Sequence, residues 1–412
     1  MTGRHSSTTW PLEAPAGLLD AAGRPLPAAR TQDPAPGSPP VLAPPAAQRG
    51  PAAARAGRYL IDDSLSLINR TGAYQIAKDL TDAFAAESRI RRWRLFGPNL
   101  AQGLARKVLA RLLLRELELL KDAPALRWPN RGLRQLFLDP LYVLRAPLGP
   151  RDMVLCHDVG PHTAPELYLP ATRALYDRAY AKIKAARPSM VFVSETSRRQ
   201  FTGWLGQDFP SLSVIPLYLR NGIHASRTER VPSVEGRFLL CVGALERRKN
   251  HLLTIEAFAA SGLAGQGVQL VICGSNGDQK DAVRAAAARQ AGVELLGYVS
   301  DAQLGWLYQN ALGFVLPSKL EGFGMPVLEA AAHGLPAIIS SDGALYEAVG
   351  GIGVVVPGDD VPGVAAAMQQ LVHMPADARG ALSERLKAHA GTLTQQRFLE
   401  RWRAEIDAWL AR

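Results

Sequence analysis

From residue 237 to 341 the chain reads RFLLCVGAL (237–245), NHLLTIEAFAAS (250–261), VQLVICG (268–274), DAVRAAAARQ (281–290), VELLGYV (293–299), DAQLGWLYQNA (301–311), LGFVLPS (312–318), PVLEAAAHG (326–334) and PAIISS (336–341). Five apolar runs, each giving way to glycine or polar residues, alternate with stretches of helical spacing. A strand covered on both faces is continuously apolar and turns polar where it leaves the sheet, so this alternation specifies a doubly wound parallel sheet. The glycines from Gly350 to Gly353, ahead of VVVP, read as a turn into one more strand.

Upstream, order begins at Arg58. YLIDDSLSLI (59–68) is expected to be a strand, NRTGA (69–73) a polar loop and YQIAKDLTDAFAAE (74–87) a helix. DMVLCHD (152–158) and PSMVFVS (188–194) have the form of buried parallel strands, with the helix YLPATRALYDRAYAKIKAA (168–186) between them. The fold class is therefore α/β: two doubly wound Rossmann-like domains joined near residues 221–234, facing across a cleft at the carboxyl ends of their sheets, where open α/β sheets bind ligands. The expected boundaries are 57–222 and 223–395, with a helix at 396–412 packing back toward the first domain. Residues 1–56 carry 11 of the 30 prolines and show neither a period of 2 nor one of 3.6, so a disordered tail is expected there.

With 412 residues, 47% apolar and 20% charged, the chain has material for more than one core and is not disordered as a whole. It contains no spanning apolar run and no basic-then-apolar leader, so a cytoplasmic location is expected. Cys156, Cys241 and Cys273 each lie in an apolar run without metal-site spacing and read as buried thiols. Lys and Arg outnumber Asp and Glu by 47 to 37, a net +10, and +7 of it falls between Gly57 and Pro150, where 16 basic residues meet 9 acidic ones. Such an excess favours anionic partners. Nucleic acid is not expected among them, because the basic residues are not interleaved with aromatics and no helix has a DNA-reading pattern.

The chemistry concentrates in PSKLEGFGMPVLEAAAHGLP (317–336). Glu321 follows a strand, Gly322 and Gly324 flank Phe323 in the turn, Pro326 sits where a helix begins, and Glu329 projects from the start of that helix. Backbone N–H groups at a helix N-terminus beside two carboxylates suit a ligand that joins phosphate to sugar hydroxyls. In VGALERRKNH (242–251), Gly243 marks a strand exit, Arg247, Arg248 and Lys249 follow, and Asn250 is placed to cap the next helix. Cations at the carboxyl end of a strand suit a diphosphate, with Lys249 and Arg248 favoured over Arg247. A dehydrogenase would carry G-x-G-x-x-G between its first strand and helix, and this chain does not.

Together V-G-A-L-E-R-R-K-N (242–250) and E-G-F-G-M-P-V-L-E (321–329) resemble the donor-binding signature of the retaining glycosyltransferases of family 4, which have the two-domain GT-B fold. Glu321 and Glu329 match that family's E-x7-E pattern. SETSRR (194–199), VIPLYLRNGI (214–223), the pair His157 and Asp158, and RTGAYQIAKDL (70–80) resemble further family motifs. The resemblance implies that Glu329 binds the ribose hydroxyls of a sugar nucleotide and that Glu321 faces the transferred sugar. Lys249 with Arg248 would neutralise the leaving diphosphate, and the amides of Phe323, Gly324 and Met325 would hold sugar and phosphate oxygens. Gly243 falls on the donor side, Gly72 on the acceptor side, and His157 reaches toward the sugar; His157, Glu321 and Lys249 form the implied catalytic set. His162, His251 and His333 read as structural. Ala244 departs from the family, where an arginine is common, as does Gly72, where two glycines are common.

No D-x-D triplet occurs, so no metal and no cofactor are expected; the two cations take the place of a divalent ion, and the nucleotide sugar is a substrate. The R-K-N segment resembles that of bacterial mannosyltransferases, which implies GDP-mannose as donor and a saccharide or lipid-linked saccharide of surface polysaccharide synthesis as acceptor. The competing expectation is a non-catalytic GT-B scaffold that binds a partner or a membrane, against which stands the cost of burying idle carboxylates. RIRRWRLFGPNLAQGLARKVLARLLLR (89–115) has Leu109, Leu112 and Leu113 on one helical face, Arg106, Lys107, Arg111 and Arg115 largely elsewhere, and Trp93 and Phe96 just before. This pattern suits a segment lying on an anionic membrane, with Arg91, Arg92 and Arg94 among its contacts; the alternative is leucines facing the domain core. A peripheral place on the inner membrane face is the expectation.

Overall fold

The computed structural model describes residues 57–68, 72–92, 95–96, 103–119, 132–220, 228–341 and 343–412. The expected tail, Trp93, Arg94 and the joining residues 221–227 lie outside them. The first sheet contains β1 (Tyr59–Asp62), β2 (Ser88–Arg92), β3 (Leu95–Phe96), β4 (Arg134–Phe137), β5 (Met153–Cys156), β6 (Ser189–Phe192) and β7 (Leu212–Val214) in the order β3-β2-β1-β4-β5-β6-β7. Its pairs are parallel except β2 with β3. The second sheet orders β8 (Arg237–Val242), β9 (Val268–Cys273), β10 (Val293–Leu296), β11 (Gly313–Leu316), β12 (Ala337–Ser340) and β13 (Val354–Val356) as β10-β9-β8-β11-β12-β13, parallel throughout. Both belong to one compact unit, Gly50–Arg412.

The runs MVLC, SMVF, GFVL and AIIS, mostly apolar, form central strands because only a strand covered on both faces can be buried at every position. In the second sheet the order reverses between β8 and β11, and the loops leaving their carboxyl ends diverge to leave a crevice. Those loops are residues 243–250 and 317–324, the two motifs singled out above. In the first sheet the reversal falls between β1 and β4.

Two sequence expectations need correction. YLIDDSLSLI is not one strand: β1 stops at Asp62, and Leu65–Ile68 is a helical turn. Asp62 accepts the Ser64 N–H at 3.0 Å, and the Asp63 carbonyl accepts from Ser66, so the side chains and carbonyls of the acidic pair bend the chain out of the sheet. Arg91 and Arg92 are not membrane contacts. They end the interior strand β2, where Arg91 meets Asp62 at 2.8 Å and Arg92 meets Asp63 at 2.7 Å, all four buried. In the following helix, Gly103–Leu119, Leu113 and Leu117 are buried with Leu109 packed beside them, while Leu112 faces out. The Gln395–Ala411 helix buries Phe398, Trp402, Ile406 and Trp409, spaced along one face. Trp409 stands edge-on to Tyr59 of β1, and Glu405 accepts from Ser211 and Ser213 at the start of β7.

Burial alone would raise the Asp62 carboxyl, but Arg91 and Arg145 outweigh it and hold it below the usual range. A carboxyl depressed on folding adds stability that is present above its unfolded value, about 3.9, and is lost as the pH falls through its folded one. Arg91→Met is therefore expected to cost about 3–5 kcal/mol at pH 7, because it leaves a buried charge half-paired. Denaturant unfolding across pH should show the gap to wild type narrowing as the pH falls from the carboxyl's folded value in the variant, raised by the loss of Arg91, to its depressed value in wild type, since the unfolded chains titrate alike.

Candidate functional site

A cavity of about 820 Å³ lies between the carboxyl ends of the two sheets. All ten residues singled out from the sequence line it: Gly72 and His157 from the first lobe, and Gly243, Arg248, Lys249, Glu321, Phe323, Gly324, Met325 and Glu329 from the second.

Lys249 ends a 3-10 turn, Arg247–Lys249, that follows β8. It is 5% exposed and its Nζ lies 2.5 Å from Oε1 of Glu321, itself 7% exposed. Arg248 reaches the other oxygen at 3.1 Å, and the Ser318 hydroxyl donates to Oε1 at 2.8 Å. Burial would raise the Glu321 carboxyl, yet Lys249 and Arg248 more than offset it and hold it below the ordinary range. Gly243 lies beside the stem of Lys249, where a Cβ would stand 3.4 Å from Cδ and Cε, an ordinary contact. Asn250 starts the next helix but does not cap it with its side chain, contrary to the sequence reading. Its Nδ2 donates instead to the carbonyls of Pro317 and Gly358, at 3.0 and 2.6 Å, with its own φ at +62°. This side-chain bridge and the Lys319 N–H donating to the Arg248 carbonyl at 2.8 Å join the loops after β8 and β11.

Gly324, with φ +97°, turns the chain into the Met325–Ala332 helix, and a side chain there would strike Leu345. Pro326 lies in the first turn. Among the described residues none accepts from the N–H groups of Phe323, Gly324 or Met325, so the open donors of a helix start border the cavity. Glu329, 2% exposed, takes two N–H groups of Arg220 on Oε1, at 2.8 and 2.7 Å, and the Tyr308 hydroxyl on Oε2 at 3.0 Å. Burial leaves its carboxyl above the usual value even with Arg220 beside it. One carboxylate is thus held anionic by two cations, whereas the other is more readily protonated.

From the first lobe, His157 donates from Nε2 to the Leu138 carbonyl at 3.1 Å, and its neighbour Asp158 accepts from the Gly160 N–H at 2.8 Å. Asp139, after β4, accepts from Tyr176 and is pushed by burial to about 6, with His157 opposing the rise. Gly322 packs directly on the His157 carbonyl oxygen, where a Cβ would collide, so the Glu321 loop and the His157 loop touch. Gly72, at the start of the Gly72–Ala83 helix, lies against Met325, whose Cγ would stand 3.7 Å from a Cβ placed there.

Three histidines have the structural partners expected of them. His251 is buried and pushed down to about 4, donating to the Ala244 carbonyl. His162 stacks on Trp204, and His333 on Tyr308. The sequence reading missed Arg220, Tyr308, Ser318, Asp139 and Tyr176. Ser318 and Arg220 fall inside the quoted stretches 317–336 and 214–223 without having been singled out there, and Arg220 reaches Glu329 across 109 positions. Among the described residues no group of three or more His, Cys, Asp or Glu side chains is gathered to hold a metal ion.

Residues 225–389 match the family model described as glycosyl transferases group 1. Over 234 residues, 53% of the chain and 61% of the relative, it is 28% identical to O-antigen chain mannosyltransferase B of Escherichia coli. It is 33% identical over 198 residues, 46% of the chain, to glycogen synthase of Mycobacterium tuberculosis, of which 47% is covered. The chain thus spans about half to three-fifths of the length of these curated relatives. Among solved structures, sucrose-phosphate synthase of Thermosynechococcus elongatus superposes with a TM-score of 0.60 at 19% identity, covering 86% of this chain and all of that one. Residues 225–389 are accordingly a glycosyl transferases group 1 domain, set in a GT-B fold, in a chain that resembles bacterial mannosyltransferases.

Proposed function

We propose that the protein is a retaining, metal-independent glycosyltransferase of family 4. It moves a hexose from a nucleotide sugar, for which GDP-mannose is the best fit, to a saccharide or lipid-linked saccharide acceptor in surface polysaccharide synthesis. The observation that carries this reading is the pairing of Glu321 with Lys249 and Arg248 beside the open amides of residues 323–325. Loss of a nucleoside diphosphate develops negative charge, and fixed cations with a helix N-terminus stabilise that charge without reorganising. Glu321 keeps those cations oriented and faces the sugar; Glu329 takes the ribose hydroxyls; His157 approaches the sugar from the first lobe, which holds the acceptor. In the retaining route favoured for this family, the leaving phosphate oxygen takes the acceptor's proton as the new bond forms on the same face. The likeness to O-antigen chain mannosyltransferase B supports mannose as the sugar.

A membrane-facing acceptor side rests on a separate observation. On the outer face of the Gly103–Leu119 helix, Val108, Leu112, Leu114 and Leu119 are exposed, Leu119 by 70%, alongside exposed Lys107, Arg111 and Arg115. An apolar stripe flanked by cations suits the headgroup region of an anionic bilayer. No helix among the described residues is long and apolar enough to cross a membrane. The proposed location is therefore cytoplasmic, peripheral on the inner face.

Glu329→Gln is expected to weaken donor binding by about 1.5–3 kcal/mol, tenfold to more than a hundredfold, while Glu321→Gln mainly lowers turnover. Calorimetric titration with GDP-mannose beside steady-state rates checks both, and variants that bind and turn over like wild type would remove the assignment. Nucleoside diphosphate release should be fastest with GDP-mannose across a donor panel and should survive EDTA; preference for UDP-glucose, or loss on chelation restored by Mg²⁺, would overturn the donor or the metal independence respectively. In liposome sedimentation, binding to anionic and not neutral vesicles is expected, and replacing Lys107, Arg111 and Arg115 with Gln should remove most of it, at about 1 kcal/mol per cation.

A further inference from the structure

Away from the cavity floor, one carboxylate joins the two lobes. Glu347, in the short Gly343–Ala348 helix after β12, receives the N–H of Glu195 on Oε2 and the N–H of Thr196 on Oε1, both at 2.7 Å, and the Thr196 hydroxyl as well. Those amides open the eleven-residue Glu195–Leu205 helix of the first lobe, so the carboxylate sits at the positive end of its dipole. Ser194 caps the same helix by accepting the Ser197 N–H at 3.1 Å. Gly343 lies so close to the Thr196 hydroxyl oxygen that a Cβ there would collide with it. From this grip the contacts continue into the site: the Ser197 hydroxyl donates to the His157 carbonyl at 3.2 Å, and the same carbonyl oxygen is packed by Gly322, next to Glu321.

We propose that Glu347 is a positioning residue: it clasps the first lobe's Glu195–Leu205 helix to the second lobe and so holds His157 in register with the Glu321 loop. The inference rests on the proposed transferase reading only for its effect on turnover. Three hydrogen bonds to one charged carboxylate, made between lobes about 150 positions apart in sequence, exist only while the lobes are closed. Charge assistance makes them stronger than neutral bonds. Glu347 does not line the cavity, and its partners are distinct from those of Glu321 and Glu329. Its loss should leave the donor site intact and misplace only what the first lobe brings to it.

Glu347→Gln, nearly the same shape, keeps one acceptor oxygen and sets an NH₂ against an N–H donor. The test combines amide hydrogen exchange at residues 195–197, an interlobe distance by paired spin labels at Arg173 and Glu256, GDP affinity, and steady-state kinetics. Both labelling positions are exposed, and the three native cysteines are buried, which keeps the labelling selective. Exchange at 195–197 is expected to rise and kcat to fall by about tenfold or more, the distance distribution to lengthen, and GDP affinity and donor KM to stay within about twofold. Thr196→Val, which removes one of the three bonds from the other side, should move every reading in the same direction by less. Exchange and distances like those of wild type would overturn the clasp, as would a GDP affinity that falls in step with kcat, since that would place the residue's action inside the second lobe. Should wild type neither bind GDP nor release a nucleoside diphosphate, the transferase reading fails, while exchange and distance still decide the clasp.

Discussion

Glu321 is a carboxylate carried into the interior and kept charged there, and the cleft is arranged around that requirement. A lone buried carboxylate would take up a proton; this one is held anionic because Lys249 and Arg248 approach both its oxygens. The cations stand on the loop after β8 and the carboxylate on the loop after β11, strands adjacent at the point where the sheet order reverses. The ion cluster, the Asn250 side-chain bridges and the Lys319 to Arg248 bond therefore fix the crevice walls together. Removing Glu321 would take the carboxylate from buried Lys249, whereas removing either cation would leave Glu321 paired with the other.

The second constraint is how closely the lobes approach. Gly322 admits the His157 carbonyl and Gly160 admits Leu320 and Tyr168, so neighbouring groups fill space that a side chain would otherwise occupy. Glycine at these positions allows a histidine from one sheet to stand beside a carboxylate loop from the other. The Glu347 clasp acts on the same geometry from outside the cavity, where it can hold closure without occupying ligand space.

Net charge proved a poor map of the surface. The stretch with most of the excess positive charge directs three of its arginines inward: Arg91, Arg92 and Arg145 meet Asp62, Asp63 and Glu116 in the first lobe. What remains exposed is a narrower set on the Gly103–Leu119 helix, and this set, with its apolar neighbours, carries the membrane proposal. Composition counts charges without regard to which ones neutralise each other.

The sequence alone determined the layered α/β plan, because a strand covered on both faces must be apolar at each position and a helix between strands must repeat near 3.6; both periods are local. It also determined the two motifs at residues 242–250 and 321–329, since strand end, glycine turn and helix start are consecutive in the chain. The failures share one cause. YLIDDSLSLI read as a single strand because the bend at Asp62 and Asp63 is decided by bonds that side chains make on leaving the sheet, and Arg91 and Arg92 read as membrane contacts because their carboxylate partners lie 29 positions upstream. Arg220 and Tyr308 around Glu329, the Asn250 bridges, and Glu347 on Glu195 and Thr196 are likewise pairings between distant positions. Only the folded chain decides these, because the free energy of pairing a buried charge depends on what stands within hydrogen-bonding distance of it, and that neighbourhood is set by strand order and lobe closure rather than by spacing along the chain.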